Sequence, residues 1–331
     1  MVGSSYVKQK ALSSFSAASA GRTVGQYPGF ANDHVGINFM RTFLIISILF
    51  LSCSSKDNNI SSPSNKKYFS QIQKNDIKLD EPNSGDWRFT YKEDSQLITH
   101  YIARKPKIAK LGITKLYLQP IGFFSDDQLK IIELDREYLQ IFFQLSTIVL
   151  EPISDISIPD SARRKRVDGV EQINTQFILN YILKGKIPEN GYALMAITEK
   201  DLYPNAEWNF VFGQASYADR VGVSSLYRLG NKPLDNFTIC LKRILNISSH
   251  EIGHMFSITH CVLAKCVMNG ANNLNETDLS PNRLCSECQK KLFWNIGYKN
   301  DIRLNQLSNF FKENKLKEDF ELTEKDLKSL D

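Results

Sequence analysis

An α+β fold, a twisted mixed β-sheet packed on helices, is predicted by three features of this sequence. Strand-like apolar runs alternate with helical periods through its middle, three further strand-like runs follow in series, and one long amphipathic stretch carries two histidines four residues apart. The first run, "TKLYLQPIGFF" (Thr114 to Phe124), has strand composition, and "SDDQ" after it offers Ser125 as a helix cap with Gln128 completing the capping box. Leu129, Ile132, Tyr138, Leu139, Phe142 and Phe143 then recur at helical spacing as far as Gln144. "STIVLEP" supplies a second strand. A second helix is expected from Val170 to Lys184, with Val170, Ile173, Phe177, Ile178, Tyr181 and Ile182 on one face and Gly185 as its stop. "YALMAIT", "NFVFGQAS" and "VGVSSLYRL" read as three strands. A third helix from about Asp235, with Phe237, Leu241, Ile244 and Leu245 facing inward, delivers the histidines.

The chain has 331 residues, of which 42% are hydrophobic and 23% charged, enough for a sizeable core. Its net charge of +5 comes from interspersed Lys and Arg, so no nucleic-acid partner is implied. One tight basic run, Arg163 to Arg166, reads as an exposed loop.

"MRTFLIISILFLSCSSKDNN", Met40 to Asn59, has a basic start, an apolar run too short to span a bilayer, then a cysteine and a polar tail. This resembles a bacterial lipoprotein signal, with Cys53 as the lipidated first residue of the mature protein. The resemblance implies attachment to a membrane of the cell envelope; the alternative is a cytoplasmic protein. On this reading residues 1–39 are a non-native or disordered extension, 40–53 the signal, 54–85 a polar tether and 86–331 the folded domain.

The chemistry concentrates in "SSHEIGHMFSITHCVLAKCVM", residues 248–268, which holds three of the five histidines and two of the six cysteines. On a helix His250 and His254 project from one face, close enough to share an ion, with Glu251 beside them. His260 reaches the same ion if the helix ends near Ser257 and the chain turns. Three neutral imidazoles leave a fourth zinc position open for water, and Glu251 is placed to take that water's proton. Met268 is expected to form an apolar floor. Cys261 and Cys266, with Cys285 and Cys288, have the spacing of a four-thiolate structural zinc site, so two zinc ions are expected, one catalytic and one structural. Because Cys261 follows His260, the two sites share one peptide bond.

These motifs, HExxHxxxxxHC, then CxM, then CxxC, resemble the archaemetzincins, a family within the metzincin zinc peptidases. "ITEKDLYPNAEWNFVFGQAS" and "MNGANNLNETDLSPNRLCSECQKKL" carry the likeness to either side, so that it spans roughly residues 112–305. It implies a metzincin-like fold with a small C-terminal subdomain around the cysteines, and a zinc metallopeptidase acting on peptide or protein substrates. Asn209, Phe210, Val211, Phe212 and Gly213 would be the strand along which substrate lies; the plainer reading is an ordinary edge strand with Phe210 and Phe212 in the core. One departure is Ser257, where the family has Gly, a position that favours positive φ. Cys240 reads as an inert buried thiol, and His34 and His100 have no partner pattern. The competing functional class is a zinc-stabilised protein- or peptide-binding module, which would have no need of Glu251. N-terminal sequencing of the native protein is expected to find nothing upstream of Met40; residues from 1–39 in the mature chain would contradict the start-site reading.

Overall fold

The computed structural model describes residues 60–110, 112–230 and 233–330. The signal segment and Cys53 lie outside the described residues. Helix α1 (Pro63–Ile72) is capped by Ser62 and followed by two short helices, α2 (Trp87–Thr90) and α3 (Ile98–Ala103). Then come β1 (Lys115–Ile121), α4 (Asp126–Phe143) and β2 (Ser146–Val149), with Ser125 and Gln128 forming the expected reciprocal cap. Strands β3 (Arg163–Lys165) and β4 (Glu171–Asn174) precede a short helix, α5 (Thr175–Phe177), that runs on as a π turn through Leu183. Strands β5 (Gly191–Thr198), β6 (Asp201–Tyr203), β7 (Gly213–Ser216) and β8 (Val221–Ser225) lead into the long α6 (Pro233–Met255). Helices α7 (Leu274–Leu279), α8 (Ser286–Ile296), α9 (Asn300–Glu313) and α10 (Lys317–Leu327) complete the described chain.

The main sheet has the order β2-β1-β5-β8-β7, parallel except for β7, which runs antiparallel to β8 at the edge. Central β5 is buried along its whole length, as a strand covered on both faces must be. Ala193, Met195 and Ile197 point into the larger core beneath α4 and α6, while Leu194 and Ala196 point to a smaller one closed by Ile178, Leu179 and Leu183. A second sheet, β3-β4-β6, packs beside the smaller core.

Several expectations are corrected. The segment read as a polar tether is, from Pro63 on, docked: Tyr68, Phe69 and Ile72 enter the main core, and Asp76 pairs with Arg283 at 2.9 Å and accepts the Ser286 N–H that opens α8. Its polar composition hid one short amphipathic helix. The helix expected from Val170 starts five residues later, because 171–174 pairs as β4 and Asn174 caps at Phe177 N. The basic run is not an exposed loop. Arg163 pairs with Glu171 at 2.7 Å, Arg164 stacks over Tyr203 and donates to Trp208 O, and Arg166 pairs with Asp168. Asn209 to Phe212 form no regular strand. The Asn209 carbonyl is taken by Gln172 and Arg164, and Val211 bridges to Leu202, so only Gly213 of that set belongs to a strand. The four clustered cysteines lie in the main core rather than in a separate subdomain. The charged C-terminal stretch, which the sequence leaves open, is a packed helix pair, with Leu307, Phe310, Phe311 and Leu316 buried.

Where α4 crosses α6, Asp135 is fully buried. Its Oδ2 accepts from Ser248 at 2.8 Å and its Oδ1 has no partner. Burial pushes its carboxyl up to about 8, despite the Ser248 bond. The unfolded value is about 3.9, so the native state holds the extra proton between the two, and stability from this group is full below about pH 4 and lost as pH rises toward 8. Asp135→Asn keeps the uncharged form throughout. It is expected to flatten the pH dependence of thermal unfolding across that window and to raise the midpoint at pH 8 by about 3 °C or more; an unchanged profile would contradict this.

Candidate metal centre

The second half of α6 is apolar on its sheet-facing side, with Leu241, Ile244, Leu245 and Ile252 buried, and this packing aims His250 and His254 toward a common point. The helix ends at Met255. Ser257 then adopts φ +66°, a left-handed conformation that costs a non-Gly residue about 1–2 kcal/mol, and the chain doubles back to His260. Metal-capable atoms of the three histidines lie within 4.8 Å of one another.

What fits these rings to a cation is the occupation of each Nδ1. His250 Nδ1 lies 2.8 Å from Val267 O, His254 Nδ1 is 2.8 Å from Ile258 O, and His260 Nδ1 is 2.9 and 3.1 Å from the two oxygens of Glu93. Each acceptor holds a proton on Nδ1 and leaves the Nε2 lone pair free, the arrangement that orients metal-binding imidazoles. Burial, then the charge of His260, holds His250 down to about 3, and burial with both neighbours drives His254 well below its ordinary value. Both rings are therefore neutral at physiological pH. The Tyr217 hydroxyl is a further neighbour of His254 Nδ1, at 2.9 Å.

Glu251 is buried, and burial alone pushes its carboxyl up to about 8; nothing among the described residues donates a hydrogen bond to it. It rests on Gly213 at the start of β7, where a Cβ would lie 2.9 Å from its Oε1. The absence of a side chain there brings the sheet edge against the carboxylate. Below, Met268 is fully buried against Gly253, at which a Cβ would meet the Met268 sulfur at 2.4 Å.

Cys261, Cys266, Cys285 and Cys288 are free, buried, and have their sulfurs within 4.8 Å of one another. Cys261 and Cys285 Sγ stand 3.6 Å apart, too far for a disulfide and close to the about 3.8 Å between sulfurs that each sit about 2.3 Å from a tetrahedral ion. Hydrogen bonds from Cys266, Cys285 and Cys288 converge on Cys261 and lower it, whereas Cys266 is raised, chiefly by burial, and Cys288 by its sulfur neighbours. Four buried thiols this close together cannot all ionise without a cation. Donors are already arranged for thiolates: Cys285 N and Met268 N point at Cys266 Sγ, and the buried Lys291 ammonium lies 3.7 Å from Cys288 Sγ.

Glu93, Gln96, Trp87, Tyr217 and Lys291 were not found by sequence reasoning. Each is a lone residue outside any ligand pattern in the sequence, and Glu93 and Gln96 meet partners more than 150 residues away.

A buried carboxylate beside three metal-ready imidazoles, on a helix that runs along a sheet edge, defines a zinc metallopeptidase. Comparison with known proteins gives the same class. Residues 181–293 match Peptidase family M54. Archaemetzincin-2 of Rattus norvegicus is 31% identical over 251 residues, covering 65% of this chain and 69% of that protein. Archaemetzincin of Methanocaldococcus jannaschii is 30% identical over 185 residues, covering 54% of this chain and 93% of that one. The crystal structure of archaemetzincin from Methanopyrus kandleri superposes with a TM-score of 0.46 at 27% identity, over 56% of this chain and 96% of that chain. The chain belongs to the archaemetzincin family.

Gly253→Ala is expected to destabilise the protein by about 1–3 kcal/mol, because Met268 must leave its place under the helix. Combined with Met268→Ala, which vacates that space, the two losses should be clearly less than additive in thermal unfolding; additive losses would show that Met268 does not pack there.

Proposed function

We propose that this protein hydrolyses peptide bonds with one zinc ion on His250, His254 and His260 and a second, structural zinc on Cys261, Cys266, Cys285 and Cys288. The observation that carries the reading is the pairing of three imidazoles, each with Nδ1 occupied, with Glu251, a buried carboxyl that accepts no hydrogen bond among the described residues. Zinc at the histidines would supply Lewis acidity, lowering the pKa of water and polarising a carbonyl.

The remaining work falls to the chain. Glu251 accepts a proton from the attacking water at its carboxylate; the water oxygen bonds to the peptide carbon, the carbon–nitrogen bond breaks, and Glu251 returns that proton to the leaving amine. Its burial and lack of hydrogen bonds keep it basic enough for the first step and acidic enough for the second. The edge of β7 away from β8, Gly213 to Ser216, is where an extended peptide can add as a further strand directly beside Glu251. Substrate pairing is thus assigned to Gly213 onward rather than to Asn209–Phe212, where the Asn209 carbonyl is taken by Arg164 and Gln172 and Val211 bridges to Leu202. A binding module held together by two metals is disfavoured because it has no use for the buried carboxyl that Glu251 holds on the same helix as His250 and His254.

Wild type and Glu251→Gln are expected to bind two zinc ions each by elemental analysis. In a diverse peptide library the wild type should cleave and the variant should be slower by roughly 10²–10⁴-fold, and chelation should silence the wild type. Two zinc ions in both proteins with cleavage by neither would establish the binding module instead.

A further inference from the structure

The return from His254 to His260 is held from outside, by residues more than 150 positions earlier. Gln96, almost fully buried, spans the turn: its Nε2 donates to Ser257 O at 3.0 Å and its Oε1 accepts from Thr259 N at 3.2 Å. Tyr101, fully buried, donates to Phe256 O at 2.8 Å and itself accepts from Asn295 on α8. Glu93 receives His260 Nδ1–H on one side and the Trp87 indole N–H, at 2.8 Å, on the other, while the Trp87 ring stands edge-on to His260 with centroids 4.6 Å apart. Burial would raise the Glu93 carboxyl, but the bonds from His260 and Trp87 outweigh it and hold the group below the usual carboxylate range. The same segment reaches the cysteines, where Ile98 N donates at 2.6 Å to Glu287, which lies between Cys285 and Cys288.

The geometry points to residues 87–101 as a clamp that assembles the catalytic metal site, with Glu93 as the positioning residue that fixes the tautomer and direction of His260. The inference rests on the zinc-peptidase reading above and deepens it. It also explains how Ser257 stands where Gly is expected. Tyr101 anchors the carbonyl of the peptide before Ser257 and Gln96 anchors the carbonyl of the peptide after it, so the left-handed Ser257 is determined by its neighbours on both sides, and its intrinsic cost is offset by these hydrogen bonds. A carboxylate on Nδ1 makes the imidazole a better donor at Nε2, and loss of such partners typically weakens metal binding by about 10–100-fold.

The test measures zinc affinity at the histidine site by competition with a chromophoric chelator, on full-length protein whose cysteine site is loaded, for the wild type, Glu93→Ala and Glu93→Gln. Zinc retained by the cysteines reports in each case that the fold is intact. Glu93→Ala is expected to bind the histidine-site zinc at least about 10-fold more weakly. Glu93→Gln, whose amide oxygen still accepts Nδ1–H, should lie closer to the wild type. Wild-type affinity in Glu93→Ala would overturn the clamp. A wild type that holds zinc only at the cysteines would remove the peptidase reading itself, and the clamp with it.

Discussion

The constraint on which this structure depends is that three imidazoles can meet one cation only if their helix stops just past the second and the chain reverses at once. Met255 ends α6, Ser257 turns left-handed, and six residues after His254 the third ring is in place. The next residue, Cys261, belongs to the second cluster, so both sites pull on one peptide bond. Cys261 N donates to Met268 O at 2.7 Å, and Val267 O holds His250. The loop from Ile258 to Met268 therefore serves three tasks: it orients two rings, carries two sulfurs, and supports the helix floor at Gly253. On the reading proposed here, a structural zinc contributes on the order of 10–16 kcal/mol in small systems, far above the roughly 1–2 kcal/mol that the left-handed Ser257 costs.

Burial gives the histidine site its chemical character. Two of the rings are kept neutral and Glu251 is kept far above an ordinary carboxylate by the same desolvation. Such groups are unfavourable to bury alone, and a dication among them relieves the penalty by favouring neutral imidazole donors and an ionised carboxylate. The four thiols pose the same demand in stronger form. The stability of both sites and their affinity for metal are thus two sides of one electrostatic fact.

Much of this was legible in the sequence because it is local or periodic. The capping box at Ser125, the apolar face of α6, the i,i+4 histidines and the paired cysteines each follow from spacing alone. The start of α5 was misread because Val170 and Ile173 fit a helical period equally well, and only pairing with β3 and β6 decides otherwise. Arg163, Arg164 and Arg166 read as a solvated run because their partners, Glu171, Tyr203 and Asp168, are assembled by that small sheet. Glu93 and Gln96 were hidden for a related reason. They sit in a polar stretch without periodicity, and their importance comes from contacts across more than 150 residues.

The central claim, two chemically distinct metal centres joined at His260–Cys261, is tested most directly by zinc K-edge X-ray absorption on the fully loaded protein. The expected average first shell contains nitrogen or oxygen at about 2.0 Å and sulfur at about 2.3 Å in equal numbers. A shell of sulfur alone, from protein holding its full complement of zinc, would contradict the account.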